Sequence, residues 1–200
     1  MGFDYMAYWE NNYKGGGTSG SGSIGELAAF KADVVNKLVA QYGIRRVMEF
    51  GCGDGHQLSL MQYPQYLGLD ISPSAIRLCA EKYAVDGSKS FMLYRPGMFV
   101  NRGFVEADLT VCLDVLYHIT DEDDYRATLR DLFSPRPRVV VLYTRLTRDN
   151  APQVIETIQD RDVFHYLAAI QDYYVEEVIP QRHKELSSAD FIILRRTSDG

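Results

Sequence analysis

Seven residues restrict the fold of this chain more than any others: Glu49-Phe50-Gly51-Cys52-Gly53-Asp54-Gly55. They close a strand-like run, Arg46 to Phe50, and stand ahead of a helix. Glycine takes positive φ at no steric cost, so this spacing makes a tight turn and bares backbone to a ligand. The next strand-like run, Tyr66-Leu67-Gly68-Leu69-Asp70, ends on an acid nineteen residues after Gly51. A carboxylate there can accept both hydrogens of a ribose diol. Strand, turn and acid together point to an adenosine-containing ligand at the carboxyl edge of a parallel sheet. The competing reading is a glycine-rich turn of any α/β protein.

The remaining chain alternates in the same way. Leu27, Phe30, Val34, Val35, Leu38 and Val39 recur at helical spacing from Ile24 onward, with Ser23 and Glu26 as a capping box and Gly43 as a stop. Ser72-Pro73 opens a second helix, as N-cap and first helical residue. Residues 90–94 and 109–113 read as strands, and Thr120-Asp121-Glu122-Asp123 caps a helix whose acids suit its positive end. The valine-rich run 138–143 reads as a buried strand. Residues 153–158 and 164–170 look helical, and 173–179 and 191–194 look like late strands. This order predicts an α/β fold: a Rossmann-like, doubly wound, largely parallel sheet with helices on both faces. Two segments are expected, an aromatic and glycine-rich stretch over 1–23 and a main domain over 24–200. By composition, Gly15 to Ser23 reads as a flexible linker.

The 200 residues suit one domain, and the net charge of −6 argues against a nucleic-acid partner. Cys52, Cys79 and Cys112 show no Cys-x-x-Cys spacing, which favours a reducing, cytoplasmic setting. No apolar run reaches membrane-spanning length, and Met1-Gly2-Phe3-Asp4 does not read as a signal peptide. The oligomeric state is left open.

Glu-Phe-Gly-Cys-Gly-Asp-Gly, then Gly-Leu-Asp70, then Asp114-Val-Leu-Tyr117-His118, resembles the class I S-adenosylmethionine-dependent methyltransferases. The similarity covers residues 24–146 well. The opening Trp-Glu-x-x-Tyr with Gly-Gly-x-Ser-Gly-x-Gly-Ser is similar to small bacterial members that act on small molecules or sugars. The resemblance implies a seven-stranded sheet with one antiparallel strand and S-adenosylmethionine as cofactor. It implies that Glu49, Gly51, Cys52 and Gly53 face its methionine part, that Asp70 holds the ribose, that Ile71 packs on the adenine, and that Asp114 and Val115 line the methionine side. One departure stands out: relatives often carry an acid after the third strand, and here Tyr94 is followed by Arg95. A guanidinium only donates hydrogen bonds, so it cannot receive one from the adenine amino group.

Methyl transfer from a sulfonium is an in-line displacement that requires positioning and exclusion of water. A hydroxyl acceptor also needs a base. His118, just past the fourth strand, has the pKa range for that task, and it also reads as a helix-flanking histidine bonded to backbone. Tyr117 and His165 are further candidates at the substrate side. Tyr5, Tyr8, Trp9 and Tyr13 read either as a lid over an apolar or sugar-like acceptor or as plain packing. His183 and His56 read as solvated and cofactor-adjacent, respectively.

The expected function is O-methylation of a small-molecule hydroxyl. No Asn-Pro-Pro-Tyr motif follows the fourth strand, which disfavours nucleobase methylation. The end of the fifth strand is Tyr143-Thr144-Arg145, and Asp149-Asn150 come late, so no metal is expected. Two other classes stay in view. One is a non-catalytic S-adenosylmethionine-binding protein of the same fold; the other is an NAD-dependent oxidoreductase, disfavoured by the lack of a Tyr-x-x-x-Lys pair.

Overall fold

The computed structural model describes residues 3–147 and 155–197. Met1 and Gly2, the Asp149-Asn150 pair and the first two residues of the 153–158 expectation lie outside them. Five helices are present among the described residues: α1 (Tyr5–Lys14), α2 (Gly25–Gln41), α3 (Pro73–Lys82), α4 (Glu122–Phe133) and α5 (Val163–Leu167). The strands are β1 (Arg46–Phe50), β2 (Gln65–Asp70), β3 (Lys89–Leu93), β4 (Leu109–Leu113), β5 (Val139–Arg145), β6 (Tyr173–Ile179) and β7 (Ala189–Arg196). They form one seven-stranded sheet in the order β3-β2-β1-β4-β5-β7-β6. The first five strands are parallel, while β7 runs antiparallel to both β5 and β6.

Period-two alternation along the strands supplies two cores. Val47, Val139 and Val141 pack on one face with Phe30, Val35 and Leu38 of α2. Met48, Val140 and Leu142 pack on the other with Leu129 and Leu132 of α4 and Tyr5 of α1. Strands covered on both faces carry apolar residues at nearly every position, which is why β4 and β5 stand out in the sequence. The edge strand β6 is mostly exposed and carries Glu176 and Glu177 at a register shift, which blunts pairing with other chains.

Helix ends follow local chemistry in most places. Ser72 accepts from the Ala75 amide with Pro73 inside the first turn, and Asp121 accepts from the Asp124 amide. Gly43, at φ +57°, ends α2 in a Schellman arrangement: Ile44 N–H reaches the Val39 carbonyl and Gly43 N–H the Ala40 carbonyl. The Ser23–Glu26 capping box does not form. Ile24 is the N-cap of α2 and no side chain bonds there. Ser23 instead closes a 3-10 turn, Ser21–Ser23, and lines the cavity described below. The helix expected over 153–158 is also absent in its described part, where Ile155 and Ile158 form an isolated bridge around a turn.

The N-terminal stretch differs from its compositional reading. Asp4 caps α1, and within residues 15–23 Ser19 is hydrogen-bonded to Asp54 of the turn after β1. The crossover from β3 to β4 contains no helix; α1 packs Tyr5 into the core on the face of α4 and also contacts α3.

Candidate functional site

The chain leaves β1 toward β2 on one side and returns to β4 on the other. The crevice of an open α/β sheet lies at such a switch point, outside the carboxyl ends of the strands. A cavity of ≈ 360 Å³ lies there, walled by the turn after β1, the ends of β2 and β4, α1, and residues 19–23.

The glycine turn needs its glycines for two different reasons. Gly51, at φ +87°, leaves no room for a Cβ because Val115 packs against it. Gly53, at φ +54°, is approached just as closely by the Ser19 hydroxyl, with Tyr13 Oη next to it. Part of its bare face is therefore covered by the protein's own N-terminal segment. Asp70 is buried below the turn, where its Oδ2 accepts from Gly53 N–H and its Oδ1 from Ser72 N–H, both at 2.9 Å. Burial raises its pKa to about 6 against the pull of these amides.

Two further acids line the cavity. Glu49, buried at the end of β1, accepts from Tyr66 Oη at 2.5 Å, and burial lifts its pKa to about 7. Asp114 follows β4 in the left-handed region at φ +61°, a costly conformation for a residue with a Cβ. Its Oδ2 accepts from Lys31 Nζ at 2.6 Å and its Oδ1 from Tyr117 Oη at 2.7 Å, so two charge-assisted bonds hold the strained residue.

His118 closes a short 3-10 turn, Leu116–His118, on the cavity wall. Its Nδ1 lies 2.9 Å from the Thr157 carbonyl oxygen, and the Trp9 indole meets its ring edge-on at 5.1 Å between centroids. Burial lowers its pKa below 6.5. His118 is thus bonded to backbone through one nitrogen, as the helix-flanking reading expects, and it also lines the cavity.

The structure brings together Glu49, Gly51, Cys52, Gly53, Asp70, Ile71, Asp114, Val115, Tyr117 and His118, with Trp9 and Tyr13 of α1. It does not bring Tyr8 or His165 there. Tyr8 is 43% exposed against the rings of Phe3 and Trp9, and His165 sits on α5 beside Tyr166. Arg95 also turns away, its Nη1 on Met6 Sδ at 2.8 Å, so Tyr94, Pro96, Ile71 and Thr128 line that part of the cavity.

Four lining or bracing residues escaped the sequence reading. Glu10 of α1 accepts from the Ser72 hydroxyl and from the Ser74 amide and hydroxyl, between 2.6 and 3.0 Å. Ser19 bonds Asp54. Gln57 follows the turn and is buried in the cavity wall. Lys31 did leave a signal, a lysine among Leu27, Phe30, Val34 and Val35 on the apolar face of its helix. Among the described residues no group of three or more His, Cys, Asp and Glu gathers as metal ligands would.

A family model described as a methyltransferase domain matches residues 24–191. Solved structures of related fold include an N-methyltransferase, NodS, from Bradyrhizobium japonicum in complex with S-adenosyl-L-homocysteine, at TM-score 0.73 and 12% identity over 98% of this chain and 100% of that one. A magnesium protoporphyrin IX methyltransferase from Synechocystis with bound S-adenosylhomocysteine has TM-score 0.67 and 18% identity over 96% and 94% of the two chains. The methyltransferase domain of bacterial CtHen1 has TM-score 0.66 and 18% identity over 84% and 97%. At these identities the likeness is one of fold. No curated protein matches the chain.

Proposed function

We propose, from the premise that this chain belongs to the methyltransferase-domain family, that it transfers the methyl group of S-adenosylmethionine to a hydroxyl of a small molecule of sugar or natural-product type. The site fits the cofactor. Each oxygen of Asp70 takes one amide and keeps acceptor capacity for a ribose hydroxyl. The turn at Gly51 and Gly53 offers backbone, Ile71 an apolar face, and Glu49, Cys52, Asp114 and Val115 the remaining wall. Bound there, the cofactor supplies an electrophilic methyl on a sulfonium.

The acceptor assignment rests on one observation, the contact between His118 Nδ1 and the Thr157 carbonyl. That carbonyl can only accept, so the single hydrogen of the neutral ring sits on Nδ1 and Nε2 keeps a free lone pair. Burial favours this neutral form. Nε2 therefore takes the hydroxyl proton as the acceptor oxygen is alkylated, and Trp9 and Tyr117 shape the space around it. Helix α1 and residues 15–23 act as a lid that excludes water and limits the acceptor to a small molecule.

No helix among the described residues is long and apolar enough to cross a membrane. The three cysteines are free and buried, which fits a cytoplasmic protein.

Calorimetry with S-adenosylhomocysteine and NAD, followed by methyl transfer to hydroxyl and amine acceptors, tests the proposal. NAD binding without S-adenosylhomocysteine binding returns the chain to oxidoreductase chemistry. Cofactor binding without transfer makes it a binding protein. Transfer to amines alone removes the need for His118 as a base.

A further inference from the structure

The helix-free crossover from β3 to β4 turns its side chains alternately in and out. Phe99 and Val105 pack on the core, Phe99 edge-on to the rings of Phe50 and Tyr94. Their neighbours point to water: Met98 is 80% exposed, Val100 73% and Phe104 97%. Single exposed apolar residues are ordinary, but three on one loop mark a contact surface. Asn101 holds them there. Its Nδ2 donates to the Val105 carbonyl at 2.7 Å and to the Ser134 carbonyl at 3.2 Å, and its Oδ1 accepts from Val105 N–H at 3.0 Å. One side chain thus closes residues 101–105 into a loop, pins that loop to the end of α4 and keeps Phe104 at its tip.

Ser134 ends α4 just ahead of β5, so the tip lies at the amino edge of the sheet, away from the cavity. Exposed cations gather at the same end: Arg102 on the tip, Arg130 in the last turn of α4 and Arg136 just beyond it. Among the described residues none of these three forms an ion pair. The acids beside them are engaged, since Asp131 accepts from Tyr94 Oη at 2.7 Å and Glu106 pairs with Arg46 at 3.1 Å.

We infer that this loop and the end of α4 form a docking face for an anionic phospholipid bilayer. Phe104, Met98 and Val100 enter the headgroup layer, and Arg102, Arg130 and Arg136 meet the lipid phosphates and carboxylates. Area decides against a second copy of the chain: the three apolar side chains offer on the order of 500 Å², below the ~800 Å² per partner of a stable protein complex. A bilayer demands no matching pocket, and a projecting aromatic flanked by cations gives reversible attachment without spanning. The net charge of −6 is repelled by such a surface, so attachment depends on cations that approach it within a Debye length. The cavity, at the opposite edge of the sheet, stays open to solvent in the docked protein.

Co-sedimentation of the untagged full chain with vesicles tests this. Binding to an equal mixture of phosphatidylcholine and phosphatidylserine should exceed binding to phosphatidylcholine alone by at least about tenfold and fall with added salt. Phe104→Ser should weaken it by about tenfold or more, and Arg102→Gln by about fivefold. Both residues are exposed, so both variants should melt as the wild type does and bind S-adenosylhomocysteine equally well. Absence of sedimentation with the mixed vesicles, equal binding to both vesicle types, or variants that sediment like the wild type overturn the inference. A dimer in analytical ultracentrifugation that Phe104→Ser dissociates also overturns it and gives the face to a second copy. If Phe104→Ser does not fold, the lipid preference, the salt dependence and Arg102→Gln still decide.

Discussion

Ser19 and Asp54 hold each other twice: Ser19 N–H donates to Asp54 Oδ2 and Asp54 N–H donates to Ser19 Oγ, both at 3.0 Å. The exchange resembles a capping box between residues 35 positions apart. It fastens the glycine- and serine-rich segment to the turn after β1, with Tyr13 Oη 3.1 Å from the same hydroxyl. A stretch with the composition of a linker is thus a wall of the site.

The first prediction concerns Gly53. A valine there must hold a left-handed backbone and displace Ser19 and Tyr13. Gly53→Val should stay folded, lose S-adenosylhomocysteine binding, and exchange amide hydrogens faster over residues 15–23. Normal affinity in calorimetry would place the ligand elsewhere.

Asp70→Ala should weaken S-adenosylhomocysteine binding by on the order of 1–3 kcal/mol, because the ribose hydroxyls lose a charged acceptor. Titration of the variant against wild type measures this, and an unchanged affinity rules out the ribose role.

Catalysis should separate from binding at His118. Loss of a general base costs about 10²–10⁴-fold in rate. His118→Ala should show that fall in turnover with cofactor affinity within a few-fold of wild type. The wild-type rate should climb with pH and level off on the acid side of neutrality, because burial lowers the imidazole pKa below 6.5. The variant should lose that climb. Turnover near the wild-type value would move proton removal to another group.

Glu49 has a stability signature. Its pKa is raised from 4.5 to about 7, so between these values the folded state binds a proton that the unfolded chain has released. Stability from this residue is then present at low pH and falls as pH rises through that window. Glu49→Gln should gain stability over wild type at pH 8, by on the order of 3 kcal/mol at most. The gain should shrink toward pH 5. Thermal melts across the range would contradict this if the difference were flat.

Glu10 links α1 to the loop below Asp70 through its contacts with Ser72 and Ser74. Glu10→Ala should speed hydrogen exchange in α1, and S-adenosylhomocysteine should slow it in the wild type. Identical exchange with and without ligand would reduce α1 to a fixed wall.

The parts of the fold that the sequence revealed are those where one local force dominates. β4 and β5 are covered on both faces, so their apolar runs could hardly be read otherwise. Ser72-Pro73 and Asp121 cap helices through their own side chains. The turn from Gly51 to Gly55 and the acid at Asp70 meet because parallel pairing sets Phe50 beside Leu69. What stayed hidden depends on contacts distant in sequence. The use of Ser23 on a cavity wall, the pairing of Lys31 with Asp114 and the clasp of Glu10 on α3 all join segments whose proximity only the folded sheet creates.

Helix α1 and the end of β7 lie at opposite edges of the sheet. Helix α1 builds a wall of the cavity, whereas β7 runs back toward the amino edge of the sheet, where Arg196 N–H meets the Arg138 carbonyl. On the proposed role of α1 as a lid, anything fused ahead of it becomes cargo on that gate and should slow the entry or release of ligands. A purification handle or reporter belongs at the other end, where it can ride on the sheet without touching the traffic through the site.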